Sequence, residues 1–352
     1  MKRVLSIILM ASLLIVMTAC GTKEQTSKNS GKTEDKKIQI GMCFDSFVIE
    51  RWQRDRDVFV SMAKELGADV NIQNANGDVE EQKKQIEYFI KKGMDAIVIV
   101  CIDSESLKDS VKKAQDAGIK IIAYDRLIQN ANVDLYISFD NEKVGTMMGD
   151  AMVKAGLVNG NVVMICGSPS DSNVAMVEKG FEDVMRSNGN AIIDKVYAEG
   201  WKAELASDYI YNNMDIVDQA DAIMCGNDDL ASRAVHALAE KRMAGKKLVV
   251  GQDADLEACQ RIVEGTQLMT VYKPIEKLAQ KTAECAVKMS KGEEIEPGAN
   301  ELSTINDGTY DVPYLSIEPV SVTEKNMDEV IIKSGFHLKE DVYLNVPGKM
   351  PD

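Results

Sequence analysis

From Lys37 onward, apolar and polar positions alternate between two periods. Residues 38–44, 70–73, 96–101 and 119–124 are short apolar, β-branched runs that read as strands. Between them lie stretches with helical spacing, at 51–66, 79–92 and 107–117. In the first, Phe59, Met62, Ala63 and Leu66 stand at i, i+3, i+4 and i+7, one face of a helix that must pack on a sheet. After a turn-rich passage around Asp140-Asn141 the alternation restarts. Strands are predicted at 162–166, 192–196, 222–225 and 248–251, with helices opening at Asn173, Glu204, Leu230 and Leu256. A strand at 268–272, a helix at 275–290 and an extended segment near 315–320 complete the pattern. Repeated strand–helix alternation predicts an α/β fold with parallel sheets covered on both faces.

The chain is too long for one ordinary domain of roughly 100 to 200 residues, so two lobes are expected. The reading is two doubly wound parallel-sheet lobes joined by a hinge, with a cleft between the carboxyl ends of their strands, where such sheets bind ligands. Residues 38–139 with 274–303 are expected to form the first lobe, and 140–273 with 304–352 the second. Ahead of them, Lys2 and Arg3 precede an apolar run from 4 to 19 that ends in Ala19-Cys20-Gly21. This is a secretion signal over 1–20, too short for a comfortable transmembrane helix, with Cys20 placed for cleavage and lipidation. Residues 21–37 contain only Gly, Thr, Ser, Asn, Gln and charged residues, so they predict a flexible tether. The protein is therefore expected outside the cytoplasm, held to the cell membrane by a lipid on Cys20.

A formal charge of −15 argues against nucleic acid as a partner. Besides Cys20, Cys43, Cys101, Cys166, Cys225, Cys259 and Cys285 show no close metal spacing and are expected to pack as small buried hydrophobes. His236 and His337, the two histidines, adjoin no Ser or Cys motif and are not paired at ligand spacing. No phosphate-binding glycine loop opens a helix, and Asp228-Asp229 lacks the calcium-loop pattern. Neither catalysis nor a cofactor or metal is expected.

The informative residues stand just after strands, where they line the expected cleft. Arg51 and Arg126 donate through rigid forks, Asp171 and Asp253 accept, and Asn173 and Asn227 do both. Trp52 and Trp201, the two tryptophans, offer flat apolar plates. Lys273 follows the strand at 268–272. Sugar hydroxyls both donate and accept while the ring presents a C–H face, so this mixture suits a small neutral sugar. Taken singly, Asp171, Asn173, Asn227 and Asp253 also stand where helix N-caps stand. The recurrence of the same chemistry after strand upon strand, in both halves, favours the ligand reading.

The motifs Glu50-Arg51-Trp52-Gln53, Ala123-Tyr124-Asp125-Arg126, Ile137 to Gly145, Gly251-Gln252-Asp253-Ala254-Asp255 and Met269 to Pro274 extend this reading. Through them the chain, from about Ile38 to about Val346, resembles the sugar-binding proteins of bacterial ABC importers, and most closely their xylose-binding branch. The resemblance implies a type I periplasmic-binding-protein fold whose lobes close over one monosaccharide, D-xylose first, and present a surface to ABC permease subunits. It implies pentose contacts from Arg51, Trp52 and Arg126 in the first lobe. From the second it implies Asp171, Asn173, Trp201, Asn227 and Asp253, with Lys273 at the hinge side. Ser46 and the loop Ser170-Asp171-Ser172-Asn173 depart from the xylose pattern, and multiple-sugar receptors share the other motifs. A receptor read by a chemoreceptor or sensor kinase would carry the same site.

Overall fold

The computed structural model describes residues 37–49, 51–295 and 302–351. The signal, Cys20, the tether through residue 36 and Glu50 lie outside the described residues. The first half runs β1 (Ile38–Phe44), α1 (Arg51–Glu65), β2 (Ala68–Asn74), α2 (Val79–Lys92), β3 (Ala96–Ile99), α3 (Lys108–Asp116), β4 (Lys120–Tyr124) and β5 (Leu135–Phe139). The second continues with α4 (Asn141–Lys154), β6 (Asn161–Cys166), α5 (Ser172–Ser187), β7 (Ala191–Tyr197), α6 (Glu204–Asn212), α7 (Met214–Gln219) and β8 (Ala222–Cys225). It ends with α8 (Asp228–Glu240), β9 (Leu248–Gln252), α9 (Leu256–Glu264) and β10 (Met269–Tyr272). Then follow α10 (Ile275–Ser290), β11 (Leu302–Asn306), β12 (Asp311–Ile317) and β13 (Val320–Val322).

The strands form two sheets, in the orders β11-β12-β5-β4-β3-β1-β2 and β13-β10-β9-β8-β6-β7. Both are parallel except at one edge, where β11 runs antiparallel to β12 and β13 antiparallel to β10. On the first sheet, α1 and α10 pack together over one face, while Ile86 and Phe89 of α2 and Val111 and Ala114 of α3 join the core on the other. On the second, residues of α4 and α5 fill one face and those of α6 and α8 the other. Parallel strands buried on both faces must be nearly continuously apolar, as β3 (Ala-Ile-Val-Ile) and β8 (Ala-Ile-Met-Cys) are. Local signals set the helix ends: Asp78 accepts from the N–H groups of Glu80 and Glu81 to start α2, and Gly93, at φ 65°, stops it.

The six cysteines among the described residues are free and buried, as expected of small apolar side chains. Burial raises their thiols, Cys43 to about 12 and Cys285 to about 11, so they are protonated and inert at neutral pH. The turn at Asp140-Asn141 proves to be a helix start: Asp140 accepts from Lys143 N at 3.0 Å and caps α4. Helices α4 and α5 cross at glycines. A Cβ on Gly145 would stand 1.9 Å from the carbonyl oxygen of Val177, and one on Gly180 would stand 1.9 Å from that of Glu142. Gly180→Ala is expected to cost about 1–3 kcal/mol or more by overpacking, read as a lower urea midpoint; an unchanged midpoint would contradict this packing.

The chain passes between sheets three times, after Phe139, after Tyr272 and after Ile317. One expectation fails. Residues from 304 onward do not all join the second lobe, because β12 pairs in parallel with β5, Tyr314 opposite Tyr136, and carries β11 with it into the first sheet. The Tyr136 and Tyr314 rings stack at 4.8 Å, which fixes the pairing. Only from β13 does the chain return to the second sheet. The tail beyond touches both sides of the hinge: Phe336 packs on Tyr272, and the Arg54 guanidinium lies 4.4 Å from the Phe336 ring centre.

Candidate functional site

Every residue singled out for the cleft follows the carboxyl end of a strand or opens the helix after it. Arg51 and Trp52 begin α1, Asp125-Arg126 follow β4, and Asp171 and Asn173 stand at the start of α5 after β6. Trp201 ends a short 3₁₀ turn after β7, Asn227 follows β8, Asp253 follows β9 and Lys273 follows β10. All nine predicted residues line one cavity between the carboxyl ends of the strands of the two sheets, where ligands of parallel α/β sheets bind. Asp125, Gln252, Cys166, Val174, Val177 and Met224 also line it.

The charges are paired across the two lobes. Arg126, 3% exposed, reaches Asp45 at 2.8 Å in its own lobe and Asp171 at 2.7 Å in the other. Arg51 reaches Asp55 at 3.1 Å, Asp125 at 2.9 Å and, across the cleft, Asp253 at 3.9 Å, while Lys273 meets Asp253 at 3.1 Å. Burial acts to raise the Asp125 carboxyl, but Arg51, Lys273 and Arg126 together hold it below the usual carboxylate range. At Asp171 and Asp55 burial wins and the carboxyls are raised despite their arginine partners. Tyr124 donates a short hydrogen bond to Asp55, which fixes the carboxylate that orients Arg51.

The capping and ligand readings turn out to be compatible. Asp171 caps α5 through Asn173 N at 2.9 Å with one oxygen, and with the other it meets Arg126 and takes Trp201 Nε1 at 3.2 Å. Asn227 caps α8 through Leu230 N at 3.0 Å, which uses its oxygen. Asn173 instead reaches over to the first lobe, donating to the carbonyl and carboxylate of Asp125 at 3.1 Å each. Asp253 is no cap, since Asp255 holds that position before α9.

The two tryptophans occupy different surroundings. Trp52 is 2% exposed, and the guanidiniums of Arg51 and Arg126 lie 4.5 and 5.6 Å from its ring centre. It is thus a platform for two cations as well as a wall. Trp201 lies over Gly167, where a Cβ would come within 2.1 Å of the indole, so the loop after β6 needs glycine there. Two buried polar atoms on cavity-lining side chains have no hydrogen-bond partner: Trp52 Nε1, a donor, and Gln252 Oε1, an acceptor. Asp125 Oδ2, Arg126 Nε and Asp253 Oδ1 also lack aligned hydrogen bonds but lie within 2.7 to 3.1 Å of opposite charges. Unpaired buried donors and acceptors are costly, and a hydroxylated ligand satisfies both kinds. Asp125, Trp201 and Asp253 have φ of 64°, 58° and 98°, so three of the residues lining the cavity are held in strained backbone conformations. Neither histidine lines the cavity.

Sequence reasoning placed Asp125 and Gln252 within its motifs but did not count them as site residues. The signal was there, since each is the polar neighbour of a named residue after a strand. Cys166, Val174, Val177 and Met224 gave none, because a cavity wall and a core read alike in sequence.

Fold and cleft together define a hinged, two-lobed binding protein. The chain belongs to the periplasmic binding protein family, whose domain matches residues 40–294. It is 41% identical to the D-xylose-binding periplasmic protein of Haemophilus influenzae, over 89% of this chain and 95% of that protein. With the D-xylose-binding periplasmic protein of Escherichia coli it shares 40% identity, over 87% and 93%. Among solved structures it resembles an ABC transporter solute-binding protein of Clostridium phytofermentans with bound β-D-glucose, at 28% identity and a TM-score of 0.77, covering 86% of this chain and 99% of that one.

Proposed function

We propose that this protein captures a monosaccharide outside the cytoplasm, D-xylose before other sugars, and delivers it to an ABC permease while tethered to the membrane by a lipid on Cys20. It does this as a receptor and not as an enzyme. The observation that carries the reading is the composition of the cavity: fork-shaped donors, carboxylates and amides contributed by both lobes, with the unpaired Trp52 donor from the first lobe and the unpaired Gln252 acceptor from the second. The xylose-binding relatives, aligned over most of their length, support the choice of sugar. Hydrogen bonds involving charged groups are worth roughly 1.5–3 kcal/mol each, and micromolar affinity needs about 8 kcal/mol. A few such contacts therefore suffice.

A thermal-shift panel of xylose, glucose, ribose, arabinose and galactose tests the ligand. Stabilisation by xylose at the lowest concentration is expected; equal shifts with several sugars would make this a multiple-sugar receptor, and none with any would defeat the reading. Replacing Cys20 with alanine is expected to release the exported protein from the membrane fraction. Retention there would contradict lipid anchoring.

A further inference from the structure

Asp228, the first residue of α8, is fully buried and does not line the cavity, yet its carboxylate is bonded on both oxygens. Oδ1 accepts from Gln267 Nε2 at 2.8 Å. Oδ2 accepts from the Thr270 hydroxyl at 2.6 Å and from the N–H of Asp255 at 3.2 Å. The Thr270 oxygen in turn accepts from the N–H of Ala254 at 3.1 Å. Two consecutive backbone N–H groups of the turn after β9 therefore hang on one carboxylate, one directly and one through a hydroxyl. That turn is strained: Asp253 has φ 98° and Ala254 φ 56°, left-handed values that residues with a Cβ seldom adopt. Room for the carboxylate comes from Gly251, whose Cβ would stand 2.2 Å from Asp228 Oδ1.

We propose that Asp228 is a positioning residue whose ionised carboxylate holds the turn from Asp253 to Asp255 in the strained conformation that presents Asp253 to the sugar. The inference rests on the sugar-binding reading and adds to it a dependence on pH. The bonding demands the ionised form, because donors meet both oxygens. A proton on Oδ1 would face the Gln267 amide, which cannot simply turn over, since its oxygen accepts from Arg261 Nε at 3.0 Å. A proton on Oδ2 would face the Asp255 N–H and reverse the Thr270 hydroxyl, whose oxygen already serves Ala254.

Around this carboxylate stand Arg261 and Cys259 of α9, Cys225 at the end of β8, and Asp253 and Asp255 of the turn itself. Burial, with the charge of Asp253, pushes the Asp228 carboxyl up to about 7, against Thr270, Arg261 and Gln267, which favour the ion. Because the folded value lies above the unfolded one of about 4, the native state holds the extra proton between about pH 4 and 7. In that window Asp228's own contribution to stability grows as pH falls, while its hold on the turn, and with it sugar affinity, declines. Acidification that only loosened the fold would not separate the two in this way.

The test is calorimetric titration with D-xylose from about pH 8.5 to 5.5, across the value about which this carboxyl ionises, for the full-length wild type, Asp228→Asn and Asp253→Ala. Wild-type affinity is expected to fall about tenfold on acidification, the weight of one buried hydrogen bond, and Asp228→Asn to bind about tenfold more weakly at the alkaline end with a flat profile. Wild-type affinity in Asp228→Asn, or an unchanged pH slope, overturns the positioning role if Asp253→Ala still loses binding. Unimpaired binding by Asp253→Ala overturns instead the site reading beneath it. Should Asp228→Asn fail to fold, Thr270→Val keeps the carboxylate and removes the relay; it is expected to weaken binding about tenfold, and full affinity in that variant overturns the proposal.

Discussion

Arg126→Ala is expected to abolish sugar binding in the micromolar range and to destabilise the protein by about 3–5 kcal/mol, the cost of breaking a buried ion pair from one side. The reason is the position of the guanidinium. It is buried beside Trp52, serves Asp45 and the carbonyl of Cys101 in the first lobe, and bridges to Asp171 in the second. Its removal leaves two buried carboxylates without their cation, one of them already raised by burial. Asp171 also orients Trp201 and caps α5, so the loss spreads to the opposite wall. Arg126→Lys restores charge but not the fork and is expected to recover stability more than affinity. Calorimetric titration and urea unfolding of the two variants check this; equal affinity in Arg126→Ala and the wild type would remove Arg126 from the site.

Asp253→Ala is expected to weaken binding about thirtyfold or more, since truncating one member of a buried charged pair costs roughly 2–5 kcal/mol. Lys273, itself buried, loses its partner at 3.1 Å, and Arg51 loses its cross-lobe contact. Stability is expected to change less than in Arg126→Ala, because Arg51 keeps Asp55 and Asp125. Titration of the variant with D-xylose decides; affinity within a few-fold of wild type would contradict the role given to Asp253.

Much of this arrangement was legible because parallel α/β sheets place their loops by rule. Helices α2 and α10 and strand β8 begin and end at the predicted residues, since capping residues and abrupt changes of period mark their ends. The same rule carried nine residues into one cavity, because each follows a strand whose carboxyl end faces the cleft. What escaped depends on contacts distant in sequence. The pairing of Tyr314 with Tyr136 spans the whole second lobe, so nothing local in residues 302–317 reveals which sheet they join. Helix α4 was hidden by Asp140-Asn141, which looks like a turn and acts as a cap. The role of Asp228 was also invisible, because an acidic residue next to a capping asparagine looks like ordinary first-turn charge. Its burial, and the turn that hangs on it, exist only once β8, β9 and β10 lie side by side.

The central claim is that this cleft closes on one monosaccharide, and isothermal titration of the purified protein with D-xylose in mildly alkaline buffer tests it most directly. Saturation at one sugar per chain with a micromolar or tighter dissociation constant is the predicted result. Absence of any heat or saturation with xylose, in a protein that is folded by circular dichroism, would contradict the assignment of xylose, and the same silence with glucose, ribose, arabinose and galactose would contradict the site itself.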